Sequence, residues 1–322
     1  MGANRFAGQG SSGARFFAGL ATMISLAIAA CWSGDRGVPA PVVTTEVAVH
    51  RISYSTRGPG DPTQNWGDFY LPAGPQAPDS IPLVVLIHGG SWKSRLDAAT
   101  MTPYAQDLAK RGMAVFNIEY RRVGSGGGWP TTFQDVADAL DYVSELNKLF
   151  PQITTDDELV VGHSAGAQLA AWAGTRNGLT DNEVGNKPLF RPLRVIALAG
   201  PLDMVHAANS GDNQVVTVLG GTPQQVPDRY QSVDPIQNID PTMPVIAVHG
   251  DADRTVPMAL SQRYINEVER QHGVGEIIIA SGENHLSIVS PTSPVYPRIL
   301  DIITDVSTKT LEELEVDFRG GG

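Results

Sequence analysis

Residues 159–172 read Leu-Val-Val-Gly-His-Ser-Ala-Gly-Ala-Gln-Leu-Ala-Ala-Trp. Three apolar residues run into Gly162-His163-Ser164-Ala165-Gly166, and an Ala-rich segment with helical habit follows. A G-x-S-x-G between a buried strand and a helix makes a turn so sharp that its Ser holds strained dihedrals and projects Oγ from the sheet edge. Gly162 and Gly166 leave room where the strand and helix backbones pass beside the turn. Ser164 is therefore the candidate nucleophile. The five-residue string alone is a weak signal, so its weight comes from the strand before it, the helix after it and the partners placed elsewhere in the chain.

Outward from this stretch, other segments share the character of its strand. Residues 81–87 (IPLVVLI) and 113–118 (MAVFNI) are continuous apolar runs without alternation, as are 195–198 and 245–248. Such runs are buried on both faces, which points to a parallel sheet covered by helices. Helical stretches lie between them at 98–111, 133–149, 167–175 and 258–271. In the second, Val136, Leu140, Val143, Leu146 and Leu149 recur at three- and four-residue spacing and predict a core-facing stripe. Residues 45–55 alternate and predict a half-buried first strand, with 66–71 as its neighbour and 276–280 as the last strand. Alternation of buried strand and helix predicts an open, mostly parallel α/β sheet with helices on both faces, whose ligands bind at the carboxyl ends of the strands.

The 322 residues carry a formal charge of −11, with 42% hydrophobic and 18% charged residues. Such a composition excludes disorder as the main state, and the acidity argues against a nucleic-acid partner. Residues 1–31 have the marks of an export signal: Arg5 and Arg15 precede an uncharged run, 16–30, shorter than the ~20 residues of a spanning helix. That run ends in Ile28-Ala29-Ala30-Cys31, which resembles a bacterial lipobox, and Cys31 is the single cysteine of the chain. The expectation is a lipidated Cys31, a tether over 32–41, one domain over 42–322, and an exported chain held at the cell envelope by its N-terminus.

The run 81–87 ends in His88-Gly89-Gly90-Ser91-Trp92. With the Ser164 turn, this resembles the α/β-hydrolase fold, and within it the esterases with HGG motifs: the hormone-sensitive-lipase-like group and its HGGxW relatives, kynurenine formamidases included. Two glycines after a strand let backbone N–H groups face a developing oxyanion. The resemblance implies Gly90, Ser91 and Ala165 as its donors, with His88 bracing the loop and Trp92 packing it. His249-Gly250-Asp251-Ala252-Asp253-Arg254-Thr255-Val256-Pro257 is similar to the family's acid-loop pattern and implies Asp253 as the acid, with Asp251 a turn cap. Gly282-Glu283-Asn284-His285 then places the base at His285, giving the order Ser164, Asp253, His285 of this fold. His50, His163 and His206 have no comparable setting.

These residues imply a serine hydrolase that cleaves short-chain carboxylic esters, with a small-molecule ester as partner and no cofactor or metal required. The alternatives are an amide or peptide hydrolase on the same fold and a catalytically silent surface binding protein. Glu119-Tyr120-Arg121-Arg122 reads as scaffold, and Gly126-Gly127-Gly128 as a loop passing close to the pocket. The insertion 201–243, with Asp203, Asp212, Asp228, Asp234 and Asp240 among Gly, Pro, Gln and Asn, reads as a solvated excursion, with a small lid as the other reading.

Overall fold

The computed structural model describes residues 46–154, 158–310, 312–314 and 316. The segments expected to form an export signal and a tether, with Cys31, lie outside the described residues. Among the described residues, no helix is long and apolar enough to cross a membrane.

The elements run β1 (Ala48–Ser53), β2 (Trp66–Leu71), β3 (Leu83–Ile87), α1 (Thr102–Lys110), β4 (Ala114–Ile118), α2 (Thr131–Asp141), α3 (Val143–Leu149), β5 (Leu159–His163), α4 (Ala165–Thr175) and β6 (Arg194–Leu198). They continue through α5 (Met204–Asn209), α6 (Asn213–Leu219), α7 (Pro227–Val233), β7 (Val245–Gly250), α8 (Ala259–Arg270), β8 (Gly275–Ala280) and α9 (Tyr296–Thr308). The strands form one sheet in the order β1-β2-β4-β3-β5-β6-β7-β8. β1 and β2 are antiparallel to their neighbours, and from β4 to β8 the pairing is parallel. This is the mostly parallel sheet of the α/β-hydrolase fold.

β3, β4, β5 and β6 are buried at every position, as strands covered on both faces must be. One apolar cluster joins Val85, Ile87, Phe116, Trp172 and Ala197 on one side of the sheet. A second joins Val84, Leu86, Val161, Ile196 and Ile303 on the other. Successive residues of a strand point to opposite faces, so each strand supplies both clusters.

Two expectations need correction here. β1 is an edge strand paired only with β2; it is mostly exposed, with Val49 half in solvent. Ala48 and Ile52 reach the first cluster only in part, and Arg51 pairs with Asp68 of β2 at 2.8 Å and lies over the Trp66 ring. The helix expected over 133–149 is two helices, α2 and α3, meeting at Tyr142. Val136, Leu140, Val143 and Leu146 are buried, but Leu149 is 58% exposed. Phe150 turns inward in its place and packs on Phe69 with ring centroids 4.6 Å apart.

Candidate active site

β5 delivers Ser164 and α4 departs from it. Ser164 has φ 55° and ψ −121°, a conformation that side-chain-bearing residues rarely hold. It persists because its surroundings leave no alternative: a Cβ on Gly162 would overlap the carbonyl oxygen of Gly166, and one on Gly166 would overlap those of Ile87 and His88. The Ser164 N–H donates to the Leu198 carbonyl at 2.8 Å, so β6 also fixes the turn.

β7 and β8 bring the two partners. The Ser164 hydroxyl meets His285 Nε2 at 2.8 Å, and His285 Nδ1 meets Asp253 Oδ2 at 2.8 Å. The other oxygen of Asp253 accepts from the backbone N–H groups of Thr255 (2.8 Å) and Val256 (3.0 Å). Burial alone would raise the Asp253 pKa. Hydrogen bonds from His249, His285 and the two amides override it and hold the carboxyl well below the usual range. Asp253 is therefore an anion at neutral pH, able to fix the imidazole tautomer and stabilise its cation. Asp251 turns away; it accepts from the Gly282 N–H at 2.6 Å and from the Ser281 hydroxyl at 3.1 Å, bracing the turn that leads to His285.

The loop after β3 carries the expected N–H donors. Gly90, Ser91 and Trp92 have φ of 117°, 57° and 53°, so three successive residues sit in the left-handed region. Among the described residues, the N–H groups of Gly90, Ser91 and Ala165 have no acceptor. Ser91 and Ala165 line one cavity with Ser164, and Gly90 and Ser91 line a second. His88 lies beneath this loop: fully buried, bonded to the Gly89 carbonyl and Glu119, and stacked on Tyr120 at 4.4 Å. The Tyr120 hydroxyl donates to the His88 carbonyl at 2.8 Å, and Arg121 grips Asp135 with two nitrogens, so this stretch is scaffold. Trp92 is buried and also faces the larger cavity. Gly126, Gly127 and Gly128 line neither cavity; a Cβ on Gly127 would collide with the backbone of Arg121.

Two histidines had no role in the sequence reading. His163, buried before Ser164, donates from Nε2 to the His285 carbonyl at 2.9 Å. Burial, with the nearby His285, lowers its pKa to about 3, so it is neutral at pH 7. His249 Nε2 faces both the Val256 carbonyl (3.0 Å) and Asp253 (3.4 Å), while Nδ1 faces the Ser261 hydroxyl (2.8 Å). Because both partners of Nε2 accept, the proton belongs on Nε2. The available signal was position: each imidazole stands at the carboxyl end of a buried parallel strand.

The insertion 201–243 is not a solvated excursion. It folds into α5, α6 and α7, which bury Met204, Val215, Leu219, Tyr230 and Val233 in the same cluster as Trp172. Three of its aspartates serve this packing. Asp203 caps α5 and pairs with Arg263 at 2.7 Å, Asp212 caps α6, and buried Asp234 accepts from the N–H groups of Met204 and Val205. Composition had suggested solvent because capping and solvation use the same residue types. The α5–α6 turn walls a cavity of about 550 Å³ that opens at Ser164. A second cavity of about 380 Å³ meets it there and is lined by His285, Leu96 and Leu286. Among the described residues, no group of three or more His, Cys, Asp or Glu side chains is placed to hold a metal ion.

A strained serine on a strand–helix turn, with an imidazole–carboxylate pair behind it, can undertake acyl transfer. The fold defines the class: this is a protein of α/β-hydrolase fold. The chain belongs to the BD-FAE family, which it matches over residues 68–268. It is 22% identical over 267 residues to a probable isoprenylcysteine alpha-carbonyl methylesterase of Arabidopsis thaliana, covering 78% of this chain and 54% of that one. The chain spans about half or less of the length of the curated relatives it matches. A truncated carbohydrate esterase from gut microbiota has a TM-score of 0.67 and 24% identity, with 84% of this chain and 99% of that chain covered. Esterase Est2 of Thermogutta terrifontis, solved with propionate, has a TM-score of 0.65 and 20% identity, with 80% and 92% covered.

Proposed function

We propose that the chain is a serine esterase acting on short, water-soluble carboxylic esters, with Ser164 as nucleophile, His285 as general base and acid, and Asp253 as the orienting carboxylate. The observation that carries this reading is the Ser164–His285–Asp253 chain of 2.8 Å hydrogen bonds. Ser164 Oγ attacks the ester carbonyl as its proton passes to His285 Nε2. The carbonyl oxygen becomes an anion facing the N–H groups of Ala165, Gly90 and Ser91. The ester C–O bond then breaks, and the leaving oxygen takes the proton from His285. Water repeats both steps on the acyl-enzyme and frees Ser164.

Preference for short acyl chains draws support from the α5–α6 turn, which stands as a wall of the cavity at Ser164. The test is kcat/KM across nitrophenyl acetate, butyrate, octanoate and palmitate, beside the matching nitroanilides. The expectation is a maximum at or below octanoate, with the esters well ahead of the amides; a maximum at palmitate or faster anilides would contradict it.

We further propose that residues 1–31 are an export signal and that lipidation at Cys31 anchors the enzyme at the cell envelope. Support comes from the charged, apolar and Cys-terminated order of that segment. Cys31→Ser should release the protein from membranes or leave it as precursor; detergent partitioning that ignores the substitution would refute the anchor.

A further inference from the structure

We infer that Arg95 is a specificity residue and that the site takes esters carrying a carboxylate. This rests on the esterase reading above. The two cavities that meet at Ser164 share Ser91, Arg95, Ser164 and Thr255 in their walls, so a substrate seated in either one passes Arg95. The chain carries 34 Asp and Glu against 23 Lys and Arg, and other arginines of the surrounding scaffold are engaged: Arg121 with Asp135, Arg122 with Glu119 and Arg263 with Asp203. Arg95 is not. Among the described residues its side chain has neither an ion pair nor a hydrogen bond. Asp212, the carboxylate that lines the larger cavity, is turned to the N–H groups of Gln214 and Val215 at 2.8 and 3.4 Å and leaves Arg95 uncompensated.

The backbone on either side of Arg95 is held in place. The Ser94 N–H donates to the Val123 carbonyl at 3.3 Å, and the Leu96 carbonyl accepts from the Arg122 guanidinium, which itself pairs with buried Glu119 at 3.1 Å. The scaffold beneath the oxyanion loop thus sets where Arg95 stands, and its exposed side chain is left to the cavities. A guanidinium presents its donors in a planar fork that a carboxylate meets with two parallel hydrogen bonds. An amide of the same shape brings no charge. Because the acidic chain as a whole repels anions, a preference for a charged substrate would single out this local cation.

The test measures kcat and KM of the full chain on two pairs that differ in charge and little in shape. Monoethyl glutarate against ethyl glutaramate places the carboxylate or amide on the acyl chain; acetoxyacetate against acetoxyacetamide places it on the alcohol. At low salt the wild type should favour the carboxylate of at least one pair by about fivefold in kcat/KM, chiefly through KM, and that pair identifies which half of the substrate bears the charge. The preference should fall toward unity by about 1 M salt, as an exposed ion pair is screened. Arg95→Gln should abolish it, Arg95→Lys should keep part of it, and Arg95→Glu should invert it. Thermal melts check that the variants fold, and the salt series in the wild type decides the matter if one does not. Equal kcat/KM within both pairs, a preference indifferent to salt, or one that survives Arg95→Gln would overturn the inference in an active, Ser164-dependent enzyme. Failure of the esterase reading looks different: no turnover of any ester, or turnover unchanged in Ser164→Ala.

Discussion

The turn at 159–172 and the insertion at 201–243 meet at one cavity, yet they carry information in opposite ways. At the turn, backbone approach dictates residue type: Gly166 cannot carry a side chain because the Ile87 and His88 carbonyls occupy its place. In the insertion, Gly211 has nothing within 4 Å of where a Cβ would lie, and its only constraint is a φ of 100°. A region specified by steric exclusion leaves a fixed motif in the sequence. One specified by capping and packing leaves only a composition, which many structures share. On the proposed esterase mechanism, the first region performs the chemistry and the second selects what is hydrolysed.

The sharpest break of this contrast separates two carboxylates two residues apart. Asp253→Asn should lower kcat by about 10⁴ at neutral pH through loss of the correct imidazole tautomer. Asp251→Asn, which touches only the Ser281–Gly282 turn, should cost less than about tenfold. The reverse ranking in purified, folded variants would move the acid to 251.

A smaller effect compares the two regions as structure. Gly166→Ala should destabilise by several kcal/mol, on the order of an overpacked core, because only backbone stands in the way. Gly211→Ala should cost about 1 kcal/mol, the strain of a left-handed residue. Thermal melts give both; equal losses would remove the distinction.

A further effect is one of pH, and its sign differs between the regions. His163 is neutral in the fold, with its pKa lowered from 6.5 to about 3, so the unfolded chain takes up the proton first. Stability is then lost as pH falls from about 6.5 toward 3, at up to about 1.4 kcal/mol per pH unit. Burial of Asp234 raises its pKa from 3.8 to about 6, so here the folded chain takes the proton first and stability is gained as pH falls from 6 toward 4. Urea titrations should show His163→Asn shallower than wild type in its acid loss, and Asp234→Asn lacking the acid gain. Parallel pH profiles for all three proteins would count against both assignments.

The parallel strands, the Ser164 turn and the Asp253 loop were legible because each couples a motif to a fully buried apolar run, whereas the His285 loop follows β8, a mostly half-buried edge strand, and was legible from its motif alone. His163 and His249 were not, since their roles are defined by contacts 122 residues away in one case and by a competing carbonyl in the other. Leu149 misled for a related reason: its spacing continued the stripe of α2 and α3, but Phe150 took the interior place through a contact with β2. The α5–α7 wall was the least legible part, because Asp203, Asp212 and Asp234 look alike in sequence whether they cap helices or face water.

Whether Ser164 is the acyl-carrying nucleophile can be read by trapping the covalent enzyme. The wild-type chain is treated with a fluorophosphonate, its intact mass is measured and the modified peptide is sequenced. The expected result is one adduct, on Ser164, with esterase activity lost in proportion to labelling, and neither adduct nor activity in a folded Ser164→Ala. An adduct on another residue, or full ester turnover in Ser164→Ala, would contradict the assignment.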